Sequence, residues 1–533
     1  MMRRFHARTP LRITVLAAAA SIALAGCGGG SGSGTGEQTG GAAQITDECG
    51  EGGCDSNAVA SWAYSTLPST LVPYRSSDAL DIPFLFAAYD RLTYTDTKGE
   101  IQPMLAKSWE TPDDETLVMT IRDGVTFHDG AALNAGAVKA NLDNTRSAKS
   151  TLASSLASIT SVEVTGDMEV TVKVSGGLGS VLTTLSDRPG IIISPKAIGD
   201  DSGALERKSV GAGPYVLVEN RPGDRLVYER FEDYWNPQTQ HAAGLELRMI
   251  ADDEARYRAL QSGDVHIAHL REEAVDRVEG FPGVTVLKES APRSYFMAIN
   301  RSHPGLDKVE VRRAINQAIN RDGIANGLLQ GQCVPSTQLF QEGHPAYNEN
   351  LDDEALQYDV DAAKKSLADA GETGFRFQMD VPNIPSVTIL AEAVQADLKA
   401  AGITLDLNIV EVPALVERWD RGESDSYLGG FLADFDPSTV FASWFTAKGA
   451  SNPSGQEPSG LTELVRQSQQ PSSMAERAPM FEQITQAIAD DAAAPLVLCT
   501  RYFLQGVREE VRNIQVFPHG QPDWRSVGLA TGA

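Results

Sequence analysis

Residues 105–138 read Leu105-Ala106-Lys107-Ser108-Trp109-Glu110, a short acidic gap, Thr120-Ile121-Arg122-Asp123-Gly124-Val125-Thr126-Phe127-His128-Asp129-Gly130, and then Ala132-Leu133-Asn134-Ala135-Gly136-Ala137-Val138. Leu117, Met119 and Ile121 alternate with Val118, Thr120 and Arg122, the period of a half-buried strand. Asp123-Gly124 is a tight-turn dipeptide. Val125 and Phe127 resume the alternation, which predicts a hairpin. His128-Asp129-Gly130 then turns the chain into a helix opening near Asn134. A single His without partner ligands is a poor metal site, so His128 reads as a structural turn residue.

The same reading extends along the chain. Val162 and Val164, then Val170, Val172 and Val174, alternate about Thr165-Gly166-Asp167 and predict a second hairpin. Residues 251–261 predict a helix stopped by Ser262-Gly263. Val311, Ala314, Ile315, Ala318 and Ile319 follow helical spacing, as do Leu390, Val394 and Leu398. Residues 361–370 predict a further helix with Gly371 at its end. Ile403, Leu405, Leu407 and Ile409 alternate as a strand after Gly402. Helix–glycine–strand succession of this kind marks an α/β lobe.

At the N-terminus Arg3, Arg4, Arg8 and Arg12 precede an apolar run from Ile13 to Ala25. A stable membrane span needs about 20 residues, so this run reads as a signal peptide over residues 1–26. Leu24-Ala25-Gly26-Cys27 resembles the bacterial lipobox, which implies cleavage before Cys27 and lipidation of its thiol. Gly28 to Gln44 is Gly/Ser/Thr-rich and cannot bury enough surface to fold. As a flexible coil of about 17 residues it reaches roughly 20–25 Å, which suits a tether over residues 27–55.

The chain has 533 residues and a net charge of −26. Removing residues 1–26 takes away four arginines and no acid, which leaves −30. Such acidity excludes a nucleic-acid partner, whose phosphates need Lys and Arg. The length calls for two or more lobes. Beyond Cys27 stand Cys49, Cys54, Cys333 and Cys499. An even number in an exported protein suggests disulfides, with three pairings open. A Cys49–Cys54 bridge closes a small local loop and leaves Cys333 for Cys499. The alternative, a metal held by Cys49 and Cys54, lacks a second ligand pair. His266 and His269 fall on opposite faces of the expected strand, so no shared metal is expected there, and no cofactor is expected anywhere.

The segment 105–138 closely resembles the signature of the bacterial extracellular solute-binding proteins of family 5, which feed peptide and nickel ABC importers. Further segments follow in the family's order: Ala88-Tyr89-Asp90-Arg91-Leu92; Gly211-Ala212-Gly213-Pro214-Tyr215 with Asp233-Tyr234-Trp235; Arg256, Leu260, Gly263 and Asp264; and Val311-Arg312-Arg313-Ala314-Ile315 with Ala318-Ile319-Asn320-Arg321. No phosphate-loop pattern accompanies Gly211 and Gly213. The resemblance implies an α/β fold, the large three-domain form of the type II periplasmic-binding-protein fold, with two lobes, a hinge and an inserted small domain. It places lobe I at 56–77, 206–295 and 503–533, the inserted domain at 78–205, and lobe II at 296–502. Ligand lies between the lobes, and the closed form docks on a permease served by a separate ATPase.

Gly430-Phe431-Leu432-Ala433-Asp434-Phe435-Asp436-Pro437 resembles the segment of peptide-binding members whose first Asp receives the peptide's ammonium group. That role carries over to Asp434, with Phe431 in the place of a family Trp. Asp436-Pro437 reads as a structural turn. Arg293 and Tyr295 stand at the expected crossing between lobes, where Arg293 suits a ligand carboxylate and Tyr295 suits stacking. Trp444 is a candidate pocket wall. The expectation is a lipid-anchored monomer on the outer face of the cytoplasmic membrane that captures short peptides. Nickel chelates, glutathione and other small solutes are the alternatives within the family. No nucleophile or zinc motif of a hydrolase is present, so no enzyme is expected.

Overall fold

The computed structural model describes residues 49, 53–76, 78–96, 99–199, 202–432, 436–470, 473–493, 495–517 and 521–531, without the side chains of 290–292, 431 and 432. Cys27 and Asp434 therefore lie outside the described residues, and of Phe431 only the backbone is described.

Strand β1 (Val59–Tyr64) starts the first lobe. The next segment builds a separate sheet from β2 (Ala106–Asp113), β3 (Thr116–Ile121), helix α1 (Ala135–Thr145), β4 (Ile159–Gly166) and β5 (Glu169–Val174). Its order is β2-β3-β5-β4, all antiparallel. The chain returns through β6 (Tyr215–Arg221), β7 (Arg225–Arg230), β8 (Gly244–Met249), α2 (Asp253–Ser262) and β9 (Ile267–His269). The long β10 (Val284–Ile299) leads into α3 (Val309–Ala318), β11 (Cys333–Pro335), α4 (Val360–Asp369), β12 (Arg376–Pro382), α5 (Pro385–Ala400), β13 (Thr404–Val410) and β14 (Ser426–Leu432). Helices α6 (Pro437–Phe445), α7 (Leu461–Ser468) and α8 (Met474–Asp490) precede the second long strand, β15 (Leu496–Arg508).

The main sheet runs β13-β12-β14-β10-β15-β9-β1-β8-β7-β6 among the described residues, with β11 paired to β15. It joins two lobes because β10 and β15 are long enough to serve both. Near one end β15 pairs with β9 at Val507 to Gln505. Near the other, β10 pairs with β14 from Arg293 to Ile299. Between those ends the β10–β15 ladder shifts register at Ser290/Arg293 and again at Tyr295/Phe296. Irregular pairing weakens and bends a ladder, so this is where the sheet gives most easily.

Each part has its own core. Trp62, Phe84, Tyr215, Tyr228, Phe503 and Trp524 pack together in lobe I. Met297, Ile315, Met379, Leu390, Leu398 and Leu428 do so in lobe II, backed by a second cluster around Phe441, Phe445 and Phe481. Leu117, Met119, Ile121, Val138, Val170 and Val172 fill the inserted domain. The cysteines are joined as Cys49–Cys54 and Cys333–Cys499, with Cα separations of 5.0 and 5.8 Å. The second bond ties β11 to β15 beside the hinge.

One expectation is corrected. Val125 and Phe127 are buried but form no hairpin strand; the stretch makes only a Thr126–Ala132 bridge. Both edges of β3 are already occupied, by β2 and β5. The 105–138 signature instead clamps the inserted domain to lobe I. His128 Nδ1 meets Ser209 Oγ at 3.2 Å and Nε2 meets the Gly213 carbonyl at 3.1 Å. Ser194 Oγ donates to Asp129 Oδ2 at 2.8 Å. Asn134 accepts from Ala137 N at 2.9 Å and so caps α1. The Gly211 and Gly213 pair is set by close approach: a Cβ on Gly211 would stand 2.3 Å from the Ala88 carbonyl oxygen, and one on Gly213 2.4 Å from the Ala88 carbonyl carbon.

Burial pushes the His128 imidazole down to about 4, and does the same to His344, whose ring stacks on Phe340 at 4.4 Å. Both folded values lie below the ordinary 6.5. The stability they contribute is therefore complete above pH 6.5 and is lost as pH falls toward 4. Each histidine is expected to cost about 1–2 kcal/mol of stability between roughly pH 6.5 and 5. Urea titrations over that range should show the slope, and His128→Gln or His344→Phe should flatten it.

Candidate functional site

A cavity of 340 Å³ opens between the inserted domain and lobe II. One wall is Leu152, Ser154, Ser155, Thr183, Thr184, Asp187, Arg188 and Pro189; the other is Asp436, Thr439 and Ser443 on α6. The volume falls at the small end of the usual range for ligand sites, about 300–1,000 Å³. Its lining is dominated by hydroxyls and has no aromatic ring, which suits a polar solute. Arg188 is buried and donates through Nη1 to the Ser76 carbonyl at 3.2 Å, while its Nε finds no partner. Asp187 Oδ1 lies 3.6 Å from that Nε, too far for a hydrogen bond.

Asp436 is more than a turn residue. Its Oδ1 accepts from the Ser438 amide at 2.9 Å and caps α6. Both carboxylate oxygens also receive Arg477, at 2.7 and 2.6 Å, and the two side chains are 3% and 1% exposed. The cavity wall thus rests on a fully desolvated ion pair whose bidentate geometry is the strong form of that contact.

A second group of charged side chains, not part of the lining of that cavity, lies at the hinge. Arg293 on β10 stands directly across from Arg501 on β15. Glu272 neutralises Arg501, at 3.0 Å from Nε and with a second contact to Nη2. The Arg501 guanidinium also lies 4.3 Å from the Tyr295 ring centroid. Burial would raise the Glu272 carboxyl, but the arginine beside it holds it below the usual range. Arg293 has no such partner among the described residues; it lies 5.3 Å from the Phe503 ring centroid. Burial, and then Arg501, push its guanidinium pKa down. Among the described residues two adjacent cations share one counter-ion, and the remaining positive charge in a desolvated place would be relieved by an anionic group. Tyr64, edge-on to His269 at 4.7 Å, closes the same corner.

Arg293 and Tyr295 are thus brought together at the hinge. Trp444 is placed elsewhere: it packs edge-to-face on Phe296 at 5.2 Å and borders a small recess with Trp419, not the inter-lobe cavity. Leu432 pairs with Arg293 on one side of residues 433–435, and Asp436 lines the cavity on the other. Sequence reasoning missed Arg188, Arg501 and Glu272, because each matters only through what faces it. His266 bonds Ser61 while His269 meets Tyr64 and Phe503, and the described residues contain no group of metal-ligating side chains.

Residues 100–452 match the family model of the bacterial extracellular solute-binding proteins, family 5. The chain belongs to this family. Its members are binding proteins rather than enzymes. Among its relatives is the nickel-binding protein NikA of Staphylococcus aureus, 25% identical over 460 residues, covering 85% of this chain and 90% of the relative. The probable D,D-dipeptide-binding periplasmic protein DdpA of Escherichia coli is 25% identical over 471 residues with the same coverage, 85% and 90%. The family 5 fold is seen in the Helicobacter pylori periplasmic binding protein DppA in complex with the peptide STSA, which superposes with a TM-score of 0.75 at 22% identity, covering 89% of this chain and 98% of that one.

Proposed function

We propose that this protein is the lipid-anchored, substrate-capturing component of an ABC importer and that it takes short peptides. The observation that carries the reading is a small hydroxyl-lined cavity walled by two different parts of the fold, with Arg293 at the hinge having no carboxylate partner among the described residues. A zwitterionic peptide needs one cation and one anion at fixed separation. Arg293 would receive the carboxylate, and Asp434, by its resemblance to peptide-binding members, the ammonium. Tyr295 holds Arg501 in place beside Arg293. The lobe boundaries would fall near 77/78, 205/206, 295/296 and 502/503, with Phe84, Tyr89, Ile191 and Leu205 of the inserted segment packing into the lobe I core. Cys27 would carry the lipid, residues 27–55 would tether the body to the outer face of the cytoplasmic membrane, and the monomer would deliver ligand to a permease. No described helix is long and apolar enough to cross a membrane.

A second reading within the family is an anionic chelate or another small acid. Arg188, whose buried Nε on the cavity wall makes no hydrogen bond, favours it, and one relative is a nickel-binding protein. Mass spectrometry of small molecules released on denaturing residues 40–533, which form one compact unit, decides between them. A ladder of short peptides supports the peptide reading. One non-peptide acid or a metal complex overturns it in favour of the second.

A further inference from the structure

Apart from the hinge strands, the inserted domain meets lobe II at the turn Gly176–Gly179, just after β5. Gly179 N donates to the Gln469 carbonyl at 2.7 Å, and Arg477 Nη1 donates to the Gly179 carbonyl at 2.6 Å. Gln470 Nε2 adds a bond to the Gly176 carbonyl at 2.8 Å. The approach is close enough to require glycine. Gly177 has φ of +106°, and a Cβ there would stand 2.5 Å from the Gln469 oxygen and 2.9 Å from the Gln470 Cα. Gly99 and Pro345 make a second approach between the same two parts, with a Cβ on Gly99 reaching 3.5 Å from the proline ring.

These bonds join protein to protein across the cleft and use no ligand. We propose that Gly177, Gly179, Gln469 and Arg477 form a latch that holds the empty protein closed, so that ligand enters from a minority open state. Arg477 suits the task because opening does not strand its charge. Its guanidinium keeps Asp436 and, through Nε, the Ser468 carbonyl at 2.7 Å, while the freed Gly179 and Gln469 groups pass to water. The same Asp436 lines the cavity, so the latch is anchored on the wall the ligand touches. Capture then carries the penalty of a binding-competent state that is only fractionally populated.

The test is a distance measured across the cleft in protein stripped of ligand by unfolding and refolding. Spin labels on Glu163→Cys and Lys399→Cys, both exposed, report it by pulsed electron resonance. Wild type is expected to give the separation of the latched structure. Gly177→Ala should shift the distribution to longer distances. Gly124→Ala, with φ of +74° in the same domain and nothing within 4 Å, carries left-handed strain without the clash and should match wild type. A Gly177→Ala distribution equal to wild type overturns the latch. So does stripped wild type that already shows the longer distances, a result that decides the matter even if Gly177→Ala fails to fold. Neither outcome depends on which solute is bound, so the peptide reading stands or falls separately.

Discussion

Arg477→Met should destabilise the protein by about 3–5 kcal/mol, the usual cost of leaving one partner of a buried ion pair without the other. The pair is 1% and 3% exposed, so the carboxylate left behind is poorly hydrated. Asp436 would be left with Ser438 alone, facing the start of α6. Arg477 also satisfies the Ser468 carbonyl, so the end of α7 loosens with it. Denaturant unfolding monitored by tryptophan fluorescence should show the loss in the transition of lobe II. The double variant Asp436→Asn/Arg477→Met should recover a substantial part, because both charges are then gone. Additive losses would show that the pair does not act as one energetic unit.

Asp434→Asn and Arg293→Leu should each cost about 2–5 kcal/mol of peptide affinity, or roughly thirty-fold to several thousand-fold at 1.4 kcal/mol per factor of ten. The two losses should be separable by blocking the ends of the peptide. Amidating the C-terminus should weaken binding to wild type and to Asp434→Asn but leave Arg293→Leu indifferent. Acetylating the N-terminus should do the converse. Titration calorimetry with the peptides released from the purified protein makes the measurement. Unchanged affinity in Asp434→Asn removes that residue from the site, and unchanged affinity in Arg293→Leu returns the hinge cation to a purely structural role.

Much of the fold was legible because local rules and tertiary demands agree. The alternation in Leu117–Ile121 and Val170–Val174 survives as β3 and β5, since the alternate residues of each are buried in the core of the inserted domain. The helix expected over 251–261 appears as α2, capped by Asp252 and ended by Gly263. Periodicity failed at Val125 and Phe127, because alternation reports burial and says nothing of whether a neighbouring strand still has a free edge. It also ran one residue too far at α3, where Ile319 is extended and buried.

The sequence by itself determined the family, several of the strands and helices, and the residue types that close turns and cap helices. These follow from contacts a few residues apart or from motifs that are continuous in the chain. Only the tertiary structure decided that, among the described residues, Arg501 has a counter-ion and Arg293 has none, that Arg188 and Asp436 face one cavity, and that Arg477 reaches the inserted domain 298 residues away. Charge pairing and desolvation depend on which groups folding brings within a few ångströms of each other, and a linear sequence carries no record of that distance.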